Sequence, residues 1–192
     1  RLGVAARGRH LGHDRLEDLL HPDALFGRRG DRARAVQPDD RLDLVLDLHY
    51  SDWWADPANQ KIPEAWSNLS QAGLVERVRD YTSEVLGEFV AQGTPPAWVQ
   101  IGNEIGNGLL WPNGQLGDCS AERFAAMTEL LNAGASAVRS ASPKSKIMIH
   151  LETGGDAVKT RNWLKAAFSA GLTRPDGVGL SYYSVWSGPV AN

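Results

Sequence analysis

The chain is poor in cysteine, in long apolar runs and in positive charge, and each shortage excludes a class of protein. Its single cysteine, Cys119, has no partner for an internal disulfide and cannot build a multi-cysteine zinc cage. No apolar run approaches the ~20 residues of a membrane-spanning helix. The formal net charge of -3 lacks the basic footprint of a nucleic-acid-binding protein. We therefore expect neither a nucleic acid nor a membrane as a partner.

Residues 1–41 differ in composition from the rest of the chain. They contain nine arginines and seven acidic residues but no serine, threonine, lysine, isoleucine or tryptophan. No apolar alternation or amphipathic stripe is sustained there. Two interpretations stay open: a divergent or poorly ordered leader, or an out-of-frame translation of a GC-rich gene. We place a boundary after Arg41 and treat residues 42–192 as part of one domain.

From Leu42 onward, short apolar runs alternate with amphipathic stretches. The apolar runs predict strands at residues 42–48, 98–101, 146–151 and 178–183. Apolar positions at helical spacing predict helices at residues 69–91, 121–140 and 159–170. This alternation indicates parallel βα units and an α/β fold.

Polar and aromatic clusters follow the carboxyl ends of the predicted strands. That placement favours a (β/α)₈ TIM barrel, in which the chemistry lies on the loops after the strands. An open doubly wound sheet is the alternative. A whole barrel needs about 200–250 residues or more, so four strands predict a partial barrel.

The pair Asn103-Glu104 follows the second predicted strand and is flanked by Gly102 and Gly106. A carboxyl that is half-buried beside an aromatic ring such as Trp111 can hold its proton and serve as a general acid. Asn103 can hydrogen-bond a substrate hydroxyl. The alternative is a loop glutamate that caps the next helix.

Five tryptophans lie on loops after strand ends, although tryptophan is costly there unless it packs or binds something. They are Trp53, Trp54, Trp66, Trp111 and Trp186. Flat aromatic rings beside Asp, Asn and Gln suit stacking on sugars. The residue types of a metal site are present, but no local ligand spacing supports one: His49, Asp52, Asp56, His150 and Glu152. We expect His49 and His150 to hydrogen-bond within the site, and Glu152 to line the cleft or to be solvated.

Four segments together resemble glycoside hydrolase family 53, the arabinogalactan endo-β-1,4-galactanases. They are LDLHYSDWWADP (46–57), WVQIGNEIGNGLLWPNGQ (98–115), IMIHLETGGD (147–156) and GLSYYSVW (179–186). The resemblance begins at Leu42 and does not extend to residues 1–41. It implies a partial (β/α)₈ barrel that covers roughly the third to sixth βα units, and an endo-acting, retaining hydrolysis of β-1,4-galactan in pectic side chains.

The resemblance also implies the roles of individual residues. Glu104 is the acid/base, and the nucleophile is a glutamate on a later strand that is not in this chain; Glu152 is a less favoured substitute. The fragment alone is therefore expected to be inactive. The expected substrate-binding residues are Asn103, His49, Asp52, Trp54, Trp111, Tyr182 and Trp186. Trp53 occupies a variable position of the same motif.

We expect a secreted monomer that binds galactan or arabinogalactan and uses no cofactor and no metal. The first alternative is a related barrel glycosidase that acts on another β-1,4-glycan. The second is a carbohydrate-binding remnant of the same barrel without hydrolytic activity.

Overall fold

The structure is a computed structural model that describes residues 2–7 and 43–188. The predicted leader, residues 1–41, lies outside the described residues except for the strand Leu2–Arg7. The strands are β1 (Leu2–Arg7), β2 (Asp43–Leu48), β3 (Trp98–Ile101), β4 (Gly108–Leu109), β5 (Gly114–Gln115), β6 (Lys146–Leu151) and β7 (Gly177–Leu180). The helices are α1 (Gln71–Ala91), α2 (Ala121–Ala141), α3 (Ala157–Ser169) and the single turn α4 (Ser184–Ser187). Two 3₁₀ turns lie at Glu64–Trp66 and Ile105–Asn107.

The main sheet has the strand order β1-β2-β3-β6-β7, and β4 pairs with β5 in a separate hairpin. Strands β2, β3, β6 and β7 are mutually parallel and are joined through α1, α2 and α3. This is the predicted βα repeat of a barrel, with every carboxyl end at one edge. Strand β1 is antiparallel to β2 and so departs from the all-parallel pattern. Residues 2–7 carry no sustained apolar pattern, and β1 forms by pairing its backbone with the edge of β2.

The helix boundaries follow from their capping residues. Ser70 accepts a hydrogen bond from the Gly73 amide, so α1 begins at Gln71, after the predicted start at residue 69. The Asp156 carboxylate accepts hydrogen bonds from two first-turn amides, which starts α3 before the predicted residue 159. Strand β7 ends at Leu180, before the predicted residue 183, and Ser181 lies in the loop that follows. Caps thus shift the helix starts, while the helices themselves form as predicted.

The core lies between the parallel strands and their helices. Alternate strand residues such as Leu46, Val99 and Ile149 are fully buried and face α1 and α2. Tyr50 enters this layer from the end of β2, and its hydroxyl lies 2.8 Å from Thr82 Oγ1 on α1. A Cβ on Gly134 of α2 would lie 2.9 Å from that hydroxyl, so the small residue makes room for the ring. Among the described residues, no helix is long and apolar enough to cross a membrane.

Candidate active site

The predicted pair Asn103-Glu104 lies in a sharp corner directly after β3. Gly102 (φ +83) and Glu104 (φ +51) both adopt left-handed conformations. A Cβ on Gly102 would lie 2.7 Å from Ile105 Cγ2, so glycine is required there. A non-glycine residue in this conformation costs on the order of 1–2 kcal/mol, and such strain clusters at functional sites. The corner turns Glu104 out of the strand direction at the carboxyl edge of the sheet.

Gln60, from the loop after β2, fixes the backbone of this corner. Its side-chain amide donates to the carbonyl oxygen of Asn103 at 2.8 Å, and the Glu104 carbonyl lies at 3.4 Å. Gln60 is 1% exposed, and its own backbone carbonyl accepts from the Trp111 amide at 2.7 Å. The loops after β2 and β3 are therefore joined beneath the candidate acid. The sequence analysis did not single out Gln60.

The Glu104 carboxyl is partly buried and bonded to a residue that follows β7. The Ser181 hydroxyl donates to Glu104 Oε1 at 2.6 Å, and Ser181 Oγ also lies 2.8 Å from His150 Nε2. Burial is the largest influence on His150 and lowers the pKa of its imidazole. Glu104 is thus part of a hydrogen-bonded trio drawn from three different strand ends.

Asn103 connects that trio to β2 and β3. Its Nδ2 donates to the Ala55 carbonyl at 2.8 Å, and its Oδ1 lies 2.7 Å from His150 Nδ1. Gln100 Nε2 donates to Asp47 Oδ1 at 2.7 Å and to Asn103 Oδ1 at 3.2 Å. The bond to Ala55 uses one of the two Asn103 Nδ2 hydrogens, and the other can donate to a substrate hydroxyl.

His49 is 4% exposed, and both of its ring nitrogens bond within the chain. Nε2 lies 3.0 Å from Asp47 Oδ2, and Nδ1 accepts from the Ala55 amide at 2.9 Å. The Trp54 ring packs edge-on against the imidazole, with centroids 5.3 Å apart. The expectation that His49 and His150 hydrogen-bond within the site is confirmed. Direct contact between His49 and a sugar stays a prediction.

The other predicted sugar contacts are spread along the loops. Asp52 is exposed, and its carboxylate accepts from the Glu64 amide at 2.8 Å, which orders the first 3₁₀ turn. Trp54 is 68% exposed, whereas Trp111 is half-buried and its indole donates to the Asn107 carbonyl at 3.0 Å. The Tyr182 hydroxyl donates to the Gly188 carbonyl. The Trp186 side chain lies outside the described residues.

Glu152 lies beside the loop that carries Glu104, and its place along the cleft stays a prediction. Its Oε2 accepts from the Gly106 amide at 3.0 Å, and its Oε1 lies 3.3 Å from Lys159 Nζ. A Cβ on Gly106 would lie 2.2 Å from Oε1. Glu152 therefore stabilises the turn that follows Glu104, because the absence of a side chain at Gly106 lets the carboxylate reach the backbone. Over residues 2–7 and 43–188, no group of three or more His, Cys, Asp or Glu has a metal-binding arrangement.

Sequence reasoning missed Asp47, Gln100 and Ser181 as parts of the site. Asp47 is a charged residue in an apolar strand, and Ser181 belongs to a segment of the family resemblance. Their positions at the ends of parallel strands were the available signal. Which of them touch depends on the strand register, such as Asp47 opposite Gln100, which a single sequence does not give.

A family model and several known proteins match this chain. The model of "Glycosyl hydrolase family 53" matches residues 33–192, beginning before the predicted boundary at Leu42. An uncharacterised protein of Niallia circulans is 42% identical over 153 residues, which cover 77% of this chain and 41% of that protein. A probable arabinogalactan endo-β-1,4-galactanase A of Aspergillus fumigatus is 38% identical, over 76% of this chain and 41% of its own.

The solved structure of the Ignisphaera aggregans GH53 catalytic domain matches with a TM-score of 0.69 and 40% identity, over 75% of this chain and 38% of that chain. This chain thus spans about two fifths of the length of the curated relatives it matches. Its parallel strands and helices correspond to part of the TIM barrel of the matching GH53 structures. Because the family model matches most of the chain, residues 33–192, the chain belongs to glycosyl hydrolase family 53.

Proposed function

We propose that the protein containing this chain is an endo-acting, retaining β-1,4-galactanase that cleaves galactan or arabinogalactan, with Glu104 as its acid/base. The observation that carries the proposal is the left-handed corner at Asn103-Glu104, which presents a partly buried carboxyl at the carboxyl edge of the sheet. The family match and the galactanase names of curated relatives support the substrate class.

Glu104 would protonate the leaving glycosidic oxygen in the first step and deprotonate water in the second. Both roles need a carboxyl that changes protonation during the cycle in a fixed position. The hydrogen bonds of Gln60 to the corner and of Ser181 to Oε1 support such a position. Asn103 would bind the sugar hydroxyl next to the reacting carbon.

A retaining reaction needs a second carboxyl about 5–5.5 Å from the first. The neighbouring carboxyls of the described site are already engaged: Asp47 with His49 and Gln100, and Glu152 with Lys159 and a backbone amide. We therefore propose that the nucleophile lies outside this chain, and that these 192 residues alone have no hydrolytic activity.

The aromatic residues on the loops after β2 and β3 suit a cleft for a chain of sugars. Trp53 is 63% exposed and Trp54 is 68% exposed, although large apolar rings gain from being covered. Together with Asp52, Trp111 and Tyr182, they would form sugar subsites. Because the substrate is a polysaccharide outside the cell, we further propose that the protein is secreted; its monomeric state stays a prediction.

Glu104→Gln in the full-length protein tests the catalytic role. The amide cannot donate a carboxylic proton, so we expect kcat on β-1,4-galactan to fall by at least about 10²–10⁴-fold. Glu88→Gln on the exposed surface of α1 is the matched control and should keep the parent rate. Retention of activity by Glu104→Gln would refute its assignment as acid/base.

The products decide between the proposed function and its two alternatives. Early products from galactan should keep the β-anomeric configuration by NMR, as a retaining mechanism requires. Cleavage of mannan, xylan or cellulose in preference to galactan would favour a related barrel glycosidase. Binding of galactan without cleavage by the full-length protein would favour the non-hydrolytic remnant.

A further inference from the structure

We propose that His150, Ser181 and Glu104 form a proton relay, in which one proton is shared between the imidazole and the candidate acid through the serine hydroxyl. The relay rests on the proposed role of Glu104 for its functional meaning. Its geometry is independent of that role: His150 Nε2 lies 2.8 Å from Ser181 Oγ, which lies 2.6 Å from Glu104 Oε1.

The far side of the imidazole fixes where one of its protons must be. Asn103 Nδ2 donates to the Ala55 carbonyl, so the Asn103 side chain turns Oδ1 toward His150 Nδ1 at 2.7 Å. Gln100 Nε2 also lies 3.3 Å from Nδ1. The shorter contact, to Asn103 Oδ1, determines the protonation of Nδ1. Without a hydrogen on Nδ1, two lone pairs would face each other at 2.7 Å. Nδ1 therefore carries a hydrogen.

The near side then has two consistent arrangements, since Ser181 has a single hydrogen to donate. If Glu104 is ionised, Ser181 donates to Oε1 and accepts from Nε2, so the ring is a doubly protonated imidazolium. If Glu104 is protonated, its carboxyl donates to Ser181 Oγ and Ser181 donates to Nε2. The ring is then neutral, with its hydrogen on Nδ1.

The two arrangements interconvert by a balanced double transfer. The Nε2 proton moves to Ser181 Oγ while the serine hydroxyl proton moves to Glu104 Oε1, and the total number of protons is unchanged. Loss of the shared proton would leave two acceptors competing for one serine hydrogen, and an unsatisfied, partly buried acceptor is costly. The trio therefore holds its last proton to a higher pH than separate groups would.

The surroundings of His150 favour the neutral ring. Burial is the largest influence and lowers the pKa of His150, and His49 acts in the same direction. The carboxyls of Glu104, Asp47 and Glu152 face the imidazole and raise its pKa, but to a smaller extent than burial lowers it. Burial thus favours a neutral imidazole with its hydrogen on Nδ1, which is the ring state of the second arrangement.

Ser181→Ala in the full-length protein tests the relay through the pH profile of kcat/KM on galactan. We expect its basic limb to move by at least about one pH unit to lower pH, which is a roughly tenfold greater loss of activity on the basic side than on the acidic side. Ser181→Thr keeps the hydroxyl and should retain the parent profile. Ser140→Ala, on the exposed end of α2, is the control for a serine far from the site. A loss that is uniform across pH would reduce Ser181 to a positioning residue and overturn the relay.

NMR gives a second test that does not need catalysis. In the parent protein, the His150 ring ¹⁵N signals and the Glu104 carboxyl ¹³C signal should titrate with shared midpoints, and the neutral ring should carry its hydrogen on Nδ1. In Ser181→Ala, the two titrations should separate. A neutral ring protonated on Nε2, or titrations unaffected by Ser181→Ala, would overturn the relay. A parent protein that passes this test but does not cleave galactan would refute the proposed function alone.

Discussion

The two ends of the parallel strands differ in how their loops are built. The loops at the carboxyl ends of β2 and β3 place non-glycine residues in left-handed conformations, namely Tyr50, Glu104, Leu110 and Cys119. The described loops that lead from α1 and α3 to the amino ends use glycine instead, at Gly93 (φ +84) and Gly171 (φ +92). Strain is thus kept at the end that carries the candidate acid, and the opposite end is relaxed.

Hydrogen bonding shows the same difference. At the amino ends, Ser145 Oγ donates to the Pro96 carbonyl at 2.6 Å, and Asp176 bonds both Arg139 and the Ile147 amide. These bonds connect neighbouring backbone segments. At the carboxyl ends, bonds to backbone groups are accompanied by a cluster of bonds between side chains that follow different strands, as between His150 and Ser181. The amino ends therefore serve stability, and the carboxyl ends hold a shared polar cluster in place.

The largest expected difference between the two ends is in the cost of alanine at two glycines with nearly equal φ. Gly108 (φ +88) lies in the loop after β3, and its Cβ would lie 1.9 Å from the Gly114 carbonyl oxygen. Gly93 (φ +84) has nothing within 4 Å of its Cβ. We expect Gly93→Ala to lower the free energy of unfolding by about 1–2 kcal/mol. Gly108→Ala should lower it by about 3 kcal/mol or more, because a clash with backbone adds about 1–3 kcal/mol.

Urea unfolding of the two variants measures the difference between the loops. Gly108→Ala should also lose activity, since its loop continues from Glu104. Equal destabilisation by the two substitutions would show that the loop after β3 adjusts freely and is not rigid.

A buried serine at the amino ends gives the next largest effect. Ser145 is 2% exposed and lies 2.7 Å from Ser142 Oγ, in addition to its bond to Pro96. Ser145→Ala leaves both partners without that hydroxyl, so we expect the free energy of unfolding to fall by about 1–3 kcal/mol. Because the site lies at the opposite end, kcat of the folded full-length protein should not change. A fall in kcat with unchanged stability would contradict the separation of the two ends.

Much of this arrangement could be predicted from the sequence, but the polar contacts could not. The apolar stripe and Ser120 define α2, and the apolar run gives β6 with the predicted bounds. The position of Glu104 after a buried strand could also be predicted, because it depends on local order. The bonds of Ser181 to Glu104 and of Glu152 to Gly106 depend on packing between segments far apart in the chain. The same holds for Tyr50, which fits only because α2 offers Gly134.

Asp176 gives a smaller, pH-dependent effect at the amino ends. The Ile147 amide is the main cause that holds the pKa of Asp176 below its ordinary value, with Arg139 assisting. A depressed pKa stabilises the fold above about pH 4 and ceases to do so as the pH falls through the folded-state pKa. Because the side chain is 35% exposed, solvent screens the ion pair. We expect Asp176→Asn to cost about 1 kcal/mol at pH 7 and much less at pH 3, by urea unfolding at both pH values. A cost that is equal at both would assign the effect to packing.

The smallest expected effect comes from relieving backbone strain at Cys119, outside the candidate site. Cys119 is exposed, with φ +58, and precedes α2. A left-handed non-glycine residue costs about 1–2 kcal/mol, and glycine loses about 0.4–1 kcal/mol through the greater freedom of the unfolded chain. Cys119→Gly should therefore stabilise the protein by about 0.5 kcal/mol, whereas Cys119→Ala keeps the strain and should change little. Because Cys119 makes none of the contacts of the Glu104 cluster, its relief should leave the pH profile unchanged. If Cys119→Gly instead shifted that profile, strain throughout the loop, and not the corner at Glu104 alone, would position the acid.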